Sequence, residues 1–118
     1  MAPAITRIIL YVRNIPKVAE FYQRHFAMKP LPSEAKGWME LTSDGGGCNI
    51  ALHQAAVTQK SGAAMKVVFG VANVRKFKLE REKEGLKFGP IHDQGEFQFA
   101  NAKDPAGNSV SISSRGMN

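Results

Sequence analysis

Three histidines and one cysteine are the side chains of this 118-residue chain best suited to proton transfer or nucleophilic attack. His53 ends the run Asn49-Ile50-Ala51-Leu52-His53 and is placed to act as a general base. Without a carboxylate near it in the sequence to orient its ring, a structural role is the competing expectation. His25 falls beside Phe26 on a helical pattern and His92 in the loop after Pro90, so both are expected at the surface or in packing. Cys48 adjoins a glycine turn with no base beside it and is not expected to be a nucleophile. The glycine runs match no phosphate-cradling spacing, so nucleotide binding has no motif here. What remains is charge. Sixteen Lys and Arg against ten Asp and Glu give +6 at pH 7. The densest stretch, residues 75–84, interleaves acids with bases and reads as a solvated helix face, not a phosphate footprint. The expectation is no nucleic acid, and a small anionic ligand instead.

These residues are carried by a chain that says nearly the same thing twice. Asp104-Pro105-Ala106-Gly107-Asn108-Ser109-Val110-Ser111 echoes Asp44-Gly45-Gly46-Gly47-Cys48-Asn49-Ile50-Ala51, and residues 66–74 echo residues 7–15. Two landmarks in the same order argue for an internal duplication. A duplicated half-domain implies two sheets face to face and a cleft on their pseudo-twofold axis.

Within the first half, residues 6–12 are β-branched and apolar and read as a strand. Asn14 caps a helix with Pro16 in its first turn, and Val18, Phe21, Tyr22 and His25 recur on one face. Residues 38–42 and 49–53 are short strands about a glycine turn. Module one covers about 5–54 and a small, polar linker about 55–64. Module two, about 65–113, repeats the order: strand 65–71, cap Asn73, helix 74–84 stopped by Gly85, strands 96–102 and 109–113, then a frayed tail from Ser114. The fold class is α+β, one domain.

Composition agrees. Apolar residues make up 43% and charged residues 22%, ordinary globular values. No apolar run approaches the ~20 residues of a membrane helix, and the start lacks a secretory h-region. One cysteine fits a reducing compartment, so a cytoplasmic location is expected.

The opening Leu10-Tyr11-Val12-Arg13-Asn14-Ile15 with Phe21-Tyr22, the turn Asp104-Pro105-Ala106-Gly107-Asn108 and the duplication together resemble the vicinal-oxygen-chelate superfamily. Its members include glyoxalase I, bleomycin-resistance proteins and extradiol dioxygenases. The resemblance covers roughly residues 5–113. It implies two βαβββ modules related by a pseudo-twofold, their sheets curled into an open cup, and in enzymes of the family one divalent metal held by His, Gln and Glu. Counted from the family's motifs, the four ligand positions here hold Arg7, Ala51, Lys66 and Ser111. A guanidinium, a methyl group and an ammonium are not ligands for a divalent ion. No cofactor is therefore expected. Arg7 and Lys66 are expected instead to attract an anion, with Ser111 adding a hydroxyl. The competing expectation is that both cations reach the rim or pair with Glu40, Glu96 or Asp93.

Strand parity adds Ile9, Tyr11, Asn49, His53, Val68, Ser109, Ser113, Phe97, Phe99 and Asn101 to the lining, although Phe97, Phe99 and Val68 serve equally well as core. The function implied is metal-independent binding or sequestering of a small anionic or aromatic molecule. The alternative is a metal-dependent lyase, isomerase or dioxygenase using His53 and Glu40. Relatives of this length, and the open sheet edges, imply a homodimer.

Overall fold

The structure, a computed structural model, describes residues 5–58 and 65–117. The chain divides into two compact units, Met1–Ser61 and Gly62–Asn118. The expected linker lies largely at residues 59–64, outside the described residues. Its first residue is not loose, because Ala55 is buried and its N–H continues the strand ladder to the Val12 carbonyl at 2.8 Å.

The first unit runs β1 (Arg7–Val12), α1 (Ile15–Phe26), β2 (Lys29–Pro30), β3 (Trp38–Thr42) and β4 (Asn49–Gln54). Its sheet order is β1-β4-β3-β2, with β1 parallel to β4 and the other pairs antiparallel. The second unit repeats it as β5 (Lys66–Gly70), α2 (Val74–Lys83), β6 (His92–Asp93), β7 (Gln98–Lys103) and β8 (Ser109–Ser113), in the order β5-β8-β7-β6. The chain is α+β, made of two repeated βαβββ modules.

Local chemistry explains the helix starts. The Asn14 side chain accepts from the Lys17 N–H at 3.1 Å, and that of Asn73 accepts from Lys76 at 2.9 Å. Each satisfies one orphan donor of a first turn. Parity then divides each sheet. Leu10, Val12, Leu41, Ile50 and Leu52 are buried under α1, whose Val18, Phe21 and Tyr22 are buried with them. The other parity, Arg7, Ile9 and Tyr11, points away from the helix and stays exposed.

Three expectations need correcting. His92 is not in a loop. It begins β6 and stacks on Phe99 at 4.7 Å. The two-residue strands β2 and β6 escape a period-two search because they are too short to show a period, and Pro30 sits on an edge strand, where its missing N–H costs no ladder bond. The tail from Ser114 is not frayed. Ser114 N–H donates to the Gln98 carbonyl, the Ser114 hydroxyl accepts from Gln98 N–H, and the Arg115 guanidinium lies 5.1 Å from the Phe97 ring centre.

Candidate ligand-binding faces

The face that each helix leaves open carries the candidate residues in rows, because directly paired residues share a face. In the first unit Tyr11, His53 and Trp38 are consecutive cross-strand partners, as are Ile9, Ala51 and Glu40. The Tyr11 and His53 ring centres are 5.1 Å apart, and Trp38 meets His53 edge-on at 6.0 Å. His53 Nδ1 lies 3.0 Å from the Gln54 carbonyl. A carbonyl only accepts, so Nδ1 is the donor in this contact.

Arg7 begins the third row, opposite Asn49. Its Nε donates to Glu40 Oε2 at 3.2 Å, and Asn49 Nδ2 donates to the same oxygen at 2.8 Å. The hydrogen bond from Asn49 chiefly, then that from Arg7 and its charge, hold the Glu40 carboxyl below its ordinary 4.5, although burial pushes the other way. Arg7 thus follows the competing expectation and pairs with Glu40. Its side chain is still about half exposed, at 48%. Ala51 is fully buried and forms the floor between Ile9 and Glu40.

The second unit carries the equivalent rows. Lys66 Nζ donates to Asn101 Oδ1 at 3.0 Å and sits 5.8 Å from the Phe99 ring centre. Its hydrogen bond goes to an amide and not to Glu96 or Asp93. Ser111 is buried, and its hydroxyl donates to the Ala100 carbonyl at 3.1 Å. That corrects its expected part: the hydroxyl hydrogen is spent on the sheet and only a lone pair is left for a ligand. Phe97 precedes β7 but stacks with Phe99 at 6.3 Å. The residues that sequence reasoning undervalued are Glu40, Asn49, Trp38 and Lys103. Aligning the two repeats strand by strand would have raised Glu40 and Lys103, since each faces the open side beside an expected cation.

These residues do not fit a divalent metal. The four positions at which the family resemblance implies ligands carry Arg7, Ala51, Lys66 and Ser111, and the Glu40 carboxylate already accepts from Arg7 and Asn49. Among the described residues no group of three or more His, Cys, Asp or Glu could hold one. The turn Asp104-Pro105-Ala106-Gly107-Asn108 is structural. Asp104 Oδ1 accepts from the N–H of Ala106 and of Asn108, and its Oδ2 from Asn108 Nδ2, all at 2.9 Å. A concavity of about 350 Å³ between Asn73 and Lys83 lies along α2, on the solvated helix face.

Duplicated βαβββ units, each with one sheet face left open by its helix, have counterparts among known proteins. The sequence profile of the Glyoxalase/Bleomycin resistance protein/Dioxygenase superfamily matches residues 4–112. The chain belongs to this superfamily. Among solved structures it is similar to TnmS3, an antibiotic binding protein from Streptomyces sp. CB03234, with a TM-score of 0.80 at 16% identity over 95% of this chain and 96% of that one. It is similar to a lactoylglutathione lyase from Agrobacterium tumefaciens, with a TM-score of 0.72 at 20% identity, covering 95% and 93%. An integron cassette protein of V. cholerae gives 0.73 at 24%, covering 96% and 95%. At such identities these likenesses establish the fold. No curated protein sequence matches the chain. No helix among the described residues is long and apolar enough to cross a membrane.

Proposed function

We propose that this superfamily member binds, without a metal, a small organic molecule that is partly planar and partly anionic. The observation that carries the reading is the second face, where the Lys66 ammonium lies 5.8 Å from the centre of the Phe99 ring; the first face carries its ring row two rows from Arg7. Tyr11, His53 and Trp38 in the first unit, and His92 and Phe99 in the second, offer ring faces to an aromatic group. On the second face Lys66 and Asn101 offer donors to a charged end, while on the first Arg7 stands half exposed beside Glu40 and Ala51 leaves room above the floor. Glu40, the acid beside Arg7, is held ionised by its two donors, which makes it a poor proton donor at neutral pH. Its carboxylate is also engaged by Arg7 and Asn49, which supports ligand binding over proton transfer by Glu40. The similarity to an antibiotic binding protein agrees with this, and the similarity to a lyase marks the alternative.

Trp38 is the only tryptophan and touches the His53 ring, so it reports on the first face. Titration with 2-naphthoate should quench its fluorescence saturably, and a chelator should leave the curve unchanged. Absence of saturation, or its loss on chelation, would refute the reading. The unpaired outer edges of the sheets favour a homodimer, which a light-scattering mass at micromolar concentration checks. The half-buried single thiol, Cys48, is compatible with the cytoplasm.

A further inference from the structure

The open face of the second unit has a row that the first lacks. Register places Lys66 and Lys103 on either side of Ser109, each directly opposite it. Lys103 Nζ donates to Ser109 Oγ at 2.9 Å, and Lys66 Nζ donates to Asn101 Oδ1 at 3.0 Å. Both of these bonds end on neutral oxygens. An ammonium has three N–H donors, so each keeps two for another partner. The Ser109 oxygen accepts from Lys103 and leaves its own hydrogen to donate. Asn101 accepts through Oδ1 and leaves its NH₂ group to donate. Four side chains in adjacent rows thus present surplus donors and two positive charges.

In the first unit the same place is neutralised. Thr42 stands where Lys103 stands, Lys29 opposite it pairs with Asp44 at 3.7 Å, and Glu40, the counterpart of Asn101, puts a carboxylate against Arg7. An anion arriving there meets a satisfied ion pair.

We propose that Lys66, Ser109, Lys103 and Asn101 form a clamp for a doubly charged oxyanion of the phosphate-monoester class. The proposal rests on the ligand-binding reading above and deepens it by assigning the anionic end of the ligand to the second unit. Two lysines whose backbones lie about 10 Å apart, two strand spacings, straddle a tetrahedral oxyanion and donate to it from both sides. The Phe99 ring, 5.8 Å from Lys66 Nζ and stacked on His92, lies where an organic group attached to the anion would rest.

Calorimetry of the full chain at low ionic strength tests this, with inorganic phosphate and phenyl phosphate as probes. Phosphate should bind with an affinity that falls as salt rises. Lys66→Met and Lys103→Met should each weaken it about tenfold, as expected for losing one charge-assisted contact. Asn101→Asp should weaken it comparably, because it rebuilds beside Lys66 the carboxylate that Arg7 already has. Lys87→Met, an exposed charge outside the row, should behave as wild type. Phenyl phosphate should bind more tightly than phosphate if the ring row takes part, and equally if the clamp reads the oxyanion alone; either order supports the clamp. No binding of phosphate or phenyl phosphate to the folded wild type, or equal affinity in all variants, overturns it. Trp38 quenching by 2-naphthoate, run in parallel, separates the failures: if it persists only the clamp is lost, and if it too is absent the ligand-binding reading fails.

Discussion

The two units share one strand register and differ in charge at one pivotal contact. Arg7 lies opposite Asn49 as Lys66 lies opposite Ser109, and Glu40 opposite Ala51 as Asn101 opposite Ser111. In both, the basic residue of the first strand reaches diagonally to the same position on the third, at 3.2 Å and 3.0 Å. The duplication has kept the contact and changed its electrostatics, carboxylate in one copy and amide in the other. Backbone register preserves which side chains meet; only the side chains decide whether the meeting is neutral or leaves charge for a ligand.

The turns before the last strand of each unit diverge in the opposite sense. Asp104 is 4% exposed and accepts three hydrogen bonds within its own turn. Asp44, whose side chain is 82% exposed, makes a 3.7 Å ion pair with Lys29. The largest expected effect follows: Asp104→Ala should cost about 2–4 kcal/mol of stability by urea unfolding, since it strands buried donors. Asp44→Ala should stay within about 0.5 kcal/mol. Equal losses would mean that the two turns do the same work despite their burial.

Much of this was legible in the sequence. The repeat, the helix caps and the longer strands follow from residue type and period, which is local information. The face on which Arg7, Tyr11, Ala51 and His53 lie also followed, because parity in a strand is fixed. The partner of each cation did not follow. Choosing between Glu40, Glu96 and Asp93 requires cross-strand register, and register is set by pairing between segments distant in sequence. The tail was misjudged for the same reason: Ser114 and Arg115 are held by Gln98 and Phe97, contacts that no local pattern announces.

A middling effect is expected where the charge was switched. Glu40→Gln removes the carboxylate and leaves Arg7 without an anionic partner, converting the first face toward the second. Phosphate, bound weakly or not at all by the first face of the wild type, should then gain a second, Arg7-dependent site in the titration. Stability should fall by no more than about 1 kcal/mol, because Arg7 is half exposed. The loss has a definite pH dependence. The folded carboxyl has a lowered pKa, so its contribution is present above the ordinary 4.5 and disappears as pH falls through the folded value. Melting curves of wild type and Glu40→Gln should therefore differ at pH 7 and converge in acid. A difference that grew as pH fell would contradict the assigned ion pair.

The smallest expected effect concerns the ring row. Tyr11 of the first unit has Gly70 as its counterpart, opposite Ser113 as Tyr11 is opposite His53. The Met117 thioether lies over this glycine, so close that a Cβ added to Gly70 would stand 2.7 Å from its sulfur. The C-terminal residues thus cover the place where the first unit has a tyrosine ring. Met117 is 43% exposed and unbranched, so it can move aside. Met117→Ala should accordingly cost no more than about 0.5 kcal/mol, the range of surface substitutions. Gly70→Ala alone should be nearly neutral, since the gain from a stiffer unfolded chain offsets displacement of the thioether. In the Met117→Ala background the same change should stabilise by about 0.5 kcal/mol, because nothing then has to move. A double-mutant cycle by thermal or urea unfolding reads the difference directly. If Gly70→Ala is equally neutral in both backgrounds, Met117 does not occupy the space over Gly70, and the comparison between the ring rows stops at Phe99.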